Sequence, residues 1–388
     1  MEIKPGIHWI GAIDWNLRDF HGYVTQRGST YNSYLILDEK KVVVDTVKKH
    51  LAKEWLANIE RLVDFDQIDY IVSNHVEMDH SGSLPVLMEL APQAKIITSV
   101  HGERGLKRHY KKEWDFKTVQ SNSSMNIGKR TLTFVHTAMV HWPDNMVTYI
   151  AEDKLLLPND AFGQHIAHSQ RFDNDVGWDI IREEAAKYYA NIVLPYGLQV
   201  QKAIEALGTL DIDMIAPSHG QIWRTYIPKL LEEYHKWANN ICQDKALVVY
   251  DTMWGSTEKM AHAIKDGLIE AKIPTTVRSL KHSHHSDIMT DVLDSKLLIF
   301  GSPTINNGML PSMGGFLTYL KGLKPQNRVG FAFGSYGWGG QATGQIEEEM
   351  KTLKWEVPIP SVRHQYIPDD EELINIKNTA MKLAESIK

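Results

Sequence analysis

Apolar and polar positions follow two different patterns along the chain. Up to about Asn240 the apolar residues fall in many short runs of β type: "TYNSYLILD", "KVVVDT", "DYIVSN", "KIITSV", "RTLTFVHT", "MVTYIAE", "KLLLP" and "DMIAPSH". Helical spacing interrupts them at "LAKEWLANIERLV" and "SLPVLMELA". That mixture predicts two sheets with helices outside and loops at the strand ends. From "KALVVYD" onward strand and helix alternate. Strands are predicted at "KALVVYD", "TTVRSL", "KLLIFGSP", "RVGFAFGS" and "WEVPIP". Helices are predicted at "STEKMAHAIKDGLIEA", "DIMTDVLD", "MGGFLTYLKGL", "QIEEEMKTL" and "DDEELINIKNTAMKLAESI". This is the grammar of a doubly wound parallel sheet of five strands. The change of pattern falls near "NNICQDK", so the expected domains are 1–243 and 244–388.

The length of 388 residues agrees with two domains. The net charge of −6 argues against nucleic acid or an anionic membrane as the main partner. No apolar run is long enough for a membrane helix, and the start lacks a basic segment followed by an apolar one, so the expected location is the cytoplasm. One cysteine, Cys242, excludes an internal disulfide and a four-cysteine iron–sulfur or rubredoxin centre built within this sequence.

Candidate chemistry concentrates in "NHVEMDH", where His75, Glu77, Asp79 and His80 fall within six residues. Three further groups stand at the ends of apolar runs: His141 in "HWPDNM", Asp160 in "LLLPNDAFGQH" and His219 in "APSHG". Singly, each reads as a turn or cap residue. Together, four loops offer metal ligands in a consistent order. In the second half, three loops follow strands. "TMWGST", Thr252 to Thr257, joins a strand to a helix and offers hydroxyls and backbone N–H groups to an anion. With a single glycine and no Gly-Lys-Ser/Thr it is neither a dinucleotide fingerprint nor a Walker loop, which favours a flavin monophosphate. "GSPTINNGMLP" and "GSYGWGG" lie where doubly wound folds bind ligands. Glycines in the latter let the backbone approach a flat ring that Tyr336 and Trp338 can cover. "KHSHHS", Lys281 to Ser286, reads as a solvated loop able to bind stray metal.

The order of "HVEMDH", His141, Asp160 and His219 resembles the metallo-β-lactamase fold, whose hydrolases carry His-x-His-x-Asp-His and zinc. Here Glu77 stands in place of the second histidine. Four histidines and three carboxylates suit non-haem iron better than a hydrolytic zinc pair. With the flavodoxin-like second half, the whole chain resembles the flavodiiron proteins. That resemblance implies an α+β metallo-β-lactamase-like αββα sandwich followed by an α/β flavodoxin-like sheet. It also implies two irons and FMN, and reduction of dioxygen to water or of nitric oxide to nitrous oxide.

By the same resemblance, His75, Glu77 and His141 hold the iron nearer the flavin, and Asp79, His80 and His219 hold the other. Asp160 bridges them. His165 and the paired Tyr188 and Tyr189 are second-layer candidates, with packing as the bland alternative, and His136 is read as structural. Flavin contacts fall on Thr252, Met253, Trp254, Gly255, Ser256 and Thr257, on Pro303, Thr304, Ile305 and Asn306, and on Ser335, Tyr336, Gly337, Trp338 and Gly339. The family places flavin and metals of one chain too far apart for direct transfer, which implies a head-to-tail homodimer or a tetramer built from it. A separate donor is expected: rubredoxin, a flavin reductase or a reduced deazaflavin coenzyme. The competing readings are a zinc hydrolase fused to a flavodoxin-like module, and an electron carrier with a vestigial metal site.

Overall fold

The computed structural model describes residues 1–387. The chain forms two compact units. One comprises Met1–His21, Thr25–Tyr188 and Leu198–Tyr234; the other comprises Gly22–Val24, Tyr189–Gly197 and the residues from His235 on.

The first unit contains the two predicted sheets. Seven strands are ordered Glu2–Lys4, Ile7–Trp9, Tyr34–Leu37, Lys41–Val44, Ile68–Val72, Lys95–Thr98, Phe116–Thr118. Five are ordered Ser123–Asn126, Thr131–His136, Met146–Ile150, Leu155–Leu157, Met214–Ile215. The sheets pack face to face through Tyr34, Ile36, Val42 and Val44 from one and Leu132, Phe134, Met146 and Ile150 from the other. The intervening residues Leu35 and Val43 turn outward, where Trp55, Ile59, Leu84 and Leu87 cover them. Both faces of the larger sheet are therefore buried, which explains why its inner strands read as unbroken apolar runs. The αββα sandwich is as expected.

The sequence expectation of one strand over 30–38 is corrected by a break. Asn32 leaves the sheet to donate its Nδ2 to the carbonyls of Pro217 (2.8 Å) and Gly220 (3.0 Å), leaving Ser29–Tyr31 and Tyr34–Leu37 as separate strands.

In the second unit all five strands are parallel, ordered Thr275–Ser279, Gln243–Tyr250, Ser295–Gly301, Val329–Tyr336, Val362–Gln365. The first strand in sequence lies second in the sheet, so a topological switch point falls between it and Ser295–Gly301. The fifth strand is not "WEVPIP". Pro358 and Pro360 cannot donate to a ladder, Glu356 makes only an isolated bridge to Val329, and pairing waits for Val362. The histidine run is likewise not all loop: His284 accepts from the Ser286 N–H and starts the helix His285–Asp294.

Candidate diiron and flavin sites

The candidate metal ligands follow strand ends: His75 and Glu77 lie in the loop after Ile68–Val72, Asp79 and His80 in the short helix Met78–Ser81, and His141, Asp160 and His219 in the loops after Thr131–His136, Leu155–Leu157 and Met214–Ile215. After Val44 the chain turns at Asp45, whose Oδ1 accepts the Asn74 N–H (2.8 Å) and whose Oδ2 accepts Asn74 Nδ2 (3.0 Å). Asn74 in turn accepts from the Thr148 hydroxyl (2.8 Å) and, through its carbonyl, from the Met146 N–H (3.0 Å). "NHVEMDH" is thus pinned to both sheets at its first residue. Its far end is held by Thr46, whose N–H (2.8 Å) and hydroxyl (2.6 Å) both donate to the His80 carbonyl.

Two groups of ligand atoms result: His75, Glu77, His141 and Asp160, and Asp79, His80 and His219. These two are the groups with metal-holding geometry among the described residues. In the first, His141 Nε2 lies 3.2 Å from Asp160 Oδ2 and 3.4 Å from Glu77 Oε2, and His75 Nε2 lies 3.4 Å from Glu77 Oε2. In the second, Asp79 Oδ2 lies 3.1 Å from His219 Nε2 and 3.3 Å from His80 Nε2. Asp160 faces both, because its Oδ1 is 2.9 Å from His80 Nε2.

Chemistry fixes the tautomers. Burial pushes the Asp144 carboxyl up, but its bond to His75 holds it below the usual range, so it only accepts. His75 Nδ1 must therefore donate to Asp144 Oδ2 (2.9 Å), and the Val76 N–H donates to the same oxygen (2.8 Å). His219 Nδ1 donates to the Thr30 carbonyl at 2.7 Å. In both residues the Nε2 lone pair is left for a metal. Sequence reading passed over Asp144, although it stands in the quoted "HWPDNM", and gave no role to Asp45 or Asn74. A loop sequence does not say which carboxylate turns toward an imidazole.

The residues fit a pair of cations. Both carboxylate oxygens of Asp79, Oδ1 of Asp160 and both ring nitrogens of His80 are buried without a hydrogen bond of good geometry, and have only the close approaches between ligands just described. Each orphan costs about 1–3 kcal/mol unless a cation satisfies it. Burial pushes the Asp160 carboxyl up, yet His80 and His141 overcome this and hold it well below the usual range. Burial lowers the His80 imidazole, yet Asp160 and Asp79 raise it to about 9.

Around the ligands, His165 packs on His219 (ring centroids 4.7 Å) and places Nδ1 2.7 Å from Ser29 Oγ. Tyr188 lies 5.1 Å from His165 and 6.1 Å from His219. Burial, then Asp160, push its phenol well above the ordinary value, so it stays protonated. Tyr189 belongs to the other unit and packs on Trp237 at 5.2 Å. His136 Nε2 lies 3.1 Å from the Val119 carbonyl, outside both ligand groups.

The second unit holds a cavity of about 700 Å³ at the carboxyl ends of its strands. Met253, Trp254 and Ser256, then Pro303 to Asn306, then Ser335 to Gly339 line it. Thr252, Gly255 and Thr257 do not. Thr252 Oγ1 accepts the Gly255 N–H (3.0 Å) and Thr257 Oγ1 bonds Ser335 Oγ (2.9 Å), so they shape the loop from behind. Gly255 has φ +88°, with open space where a Cβ would stand. Asn306 and Asn307, at φ 50° and 60°, turn the hairpin between Thr304–Ile305 and Gly308–Met309. Asn307, Tyr366 and Ile367 also line the cavity and were not expected. The last two follow the fifth strand, which the sequence reading placed too early.

Comparison with known proteins agrees with the two folds. A family model described as the ODP family β-lactamase matches residues 30–220, and one described as flavodoxin matches residues 248–376. The nitric oxide reductase of Moorella thermoacetica is 44% identical over 100% of this chain and 98% of its own. Two solved structures superpose closely. The rubredoxin oxygen:oxidoreductase of Desulfovibrio gigas has TM-score 0.98 and 40% identity, covering 100% of this chain and 98% of that one. The flavodiiron protein of Giardia intestinalis has TM-score 0.97 and 35% identity, covering 100% and 96%. The chain belongs to the flavodiiron proteins, an oxidoreductase family, and the zinc-hydrolase alternative is not favoured.

Proposed function

We propose that this chain reduces dioxygen to water, nitric oxide to nitrous oxide, or both, at two irons supplied with electrons by FMN. The observation that carries the reading is the seven-residue ligand set, five of its members buried, with Glu77 between His75 and His141. A glutamate there adds the oxygen donor that favours redox iron over hydrolytic zinc. His75, Glu77 and His141 would hold one iron, Asp79, His80 and His219 the other, with Asp160 placed to serve both.

When bound, two ferrous ions and a two-electron-reduced FMN supply four electrons, as dioxygen-to-water requires and twice what coupling two nitric oxide molecules requires. The chain's own residues prepare that chemistry. Asp144 and the Thr30 carbonyl keep the His75 and His219 lone pairs turned inward. Burial of the surrounding groups keeps bulk water away. Tyr188, held protonated beside His165, retains a hydroxyl donor. In the other unit the cavity's aromatic and backbone lining would take the isoalloxazine, and the loop before the helix Ser256–Glu270 would take the phosphate.

The same reading gives a metal part over 1–243 and a flavin part over 244–388; the two compact units support a two-part chain, although Gly22–Val24, Tyr189–Gly197 and 235–243 group with the second. It includes a separate electron donor of rubredoxin type, with a flavin reductase or a reduced deazaflavin as alternatives. It also includes a head-to-tail homodimer. Support for a second copy comes from Trp254 and Trp338, each 92% exposed at the cavity's rim. Residence in the cytoplasm is part of the proposal; no helix among the described residues is long and apolar enough to cross a membrane.

The deciding experiment is metal content per chain after growth with ample iron and zinc, followed by anaerobic turnover of dioxygen and nitric oxide with a chemically reduced donor. Two irons with turnover of either gas support the reading. Two zincs, and no reductase activity after iron reconstitution, overturn it.

A further inference from the structure

Lys281 stands outside both sites, yet the fold ties it to the flavin one. The strand Gln243–Tyr250 runs into Asp251, a buried carboxylate at the root of the Thr252–Gly255 loop. Asp251 Oδ1 accepts the Thr252 N–H (2.7 Å), and Oδ2 accepts the Ser312 hydroxyl (2.5 Å). Glu258, in the first turn of the following helix, accepts the Tyr250 hydroxyl at 2.7 Å. Two carboxylates therefore border a loop without a basic residue of its own. A phosphate dianion entering that loop meets negative charge. Lys281 supplies the opposite sign: its Nζ donates to the Thr252 carbonyl and lies 3.9 Å from Asp251 Oδ1. The turn carrying it is fixed, since the Ser279 carbonyl accepts the N–H groups of His282 (3.0 Å) and Ser283 (2.9 Å), and the Leu280 N–H donates to the Tyr250 carbonyl (2.9 Å).

We propose that Lys281 is the positioning cation of the phosphate loop. By offsetting the Asp251 charge and pinning the Thr252 carbonyl, it lets the loop accept a phosphate dianion and sets the preference for FMN over unphosphorylated riboflavin. This rests on the flavin reading given above. "KHSHHS", read from the sequence as a solvated loop able to bind stray metal, then serves the cofactor through its lysine.

The test is titration of the full-length, flavin-stripped, metal-loaded protein with FMN and with riboflavin, followed by quenching of flavin fluorescence. In K281M the FMN affinity should fall about tenfold, the scale of one partly screened unit charge, while riboflavin affinity stays within about twofold. K281M/D251N should recover most of the FMN affinity, because the charge to be offset is gone. Iron content serves as the check on folding. K281Q keeps a donor for the Thr252 carbonyl without the charge, so it serves if K281M does not fold, and wild-type FMN binding by K281Q overturns the proposal. Equal losses for FMN and riboflavin, or no recovery in the double variant, also overturn it. A wild-type protein that binds neither flavin overturns the flavin reading itself, a result distinct from these.

Discussion

At the metal-ligand cluster five of the seven groups are buried, and hydrogen bonds from His75 to Asp144 and from His219 to the Thr30 carbonyl fix two of the imidazoles. At the flavin cavity the largest side chains, Trp254 and Trp338, are 92% exposed. The difference follows from what each must hold. A small, highly charged ion needs several donors converging on one point, so they must be locked before it arrives, and charged ligands in a dry interior repel or orphan one another without it. A flat apolar ring needs area, and a surface open on one side can present it. The first site should therefore fail abruptly when one atom is changed, and the second gradually.

The largest break is expected at Asp160, the one carboxylate facing both ligand groups. Asp160→Ala should drop iron below about one per chain and turnover by about a thousandfold, with FMN content unchanged; elemental analysis beside the flavin spectrum checks it. Next comes Glu77→His, which restores the hydrolase pattern. Iron should be held more weakly and reductase activity should fall about a hundredfold, again with normal flavin. Full activity in that variant would refute the role given to the glutamate.

Asp144→Asn keeps the shape but removes the charge that fixes the His75 tautomer, and should weaken metal affinity by about ten- to a hundredfold in a chelator competition. The pH response sharpens the comparison further. In the metal-free protein burial lowers the His80 imidazole, but Asp160 and Asp79 overcome this and push it up to about 9 from its ordinary 6.5. Its protonated form therefore stabilises the metal-free fold fully below about pH 6.5, and that contribution disappears as pH rises through about 9. Metals displace the same proton, so uptake should release protons and strengthen as pH rises from 7 to 9. Thermal melts of metal-free and metal-loaded protein between pH 7 and 10 should diverge accordingly. The smallest effect is expected for Trp338→Ala, a loss of FMN affinity of roughly three- to tenfold with iron untouched.

Much of both sites could be read from the chain because each ligand follows an apolar run, and a strand's end is where a parallel or mixed sheet puts its functional loops. Asp144 escaped notice because nothing local separates it from a turn-forming aspartate; its partner His75 is 69 residues away. Tyr188 and Tyr189 are adjacent and chemically identical, and only the end of the helix Trp178–Tyr188 turns one ring toward His165 and the other toward Trp237. "WEVPIP" failed as a strand because its apolar residues satisfy the pattern while its prolines break the ladder, and Tyr366 and Ile367 were lost from the cavity with it.

Residue chemistry and periodicity by themselves determined the two-part architecture, the metal-ligand types and the strand-to-helix loop proposed to take the phosphate, since these depend on spacing within single elements. The tertiary structure alone decided which nitrogen of His75 and of His219 turns toward the ligand cluster and which lysine reaches the Thr252 carbonyl. Those are relations between segments distant in sequence, set by the pairing of Asp45 with Asn74 and of Lys281 with Thr252, and no local pattern encodes them.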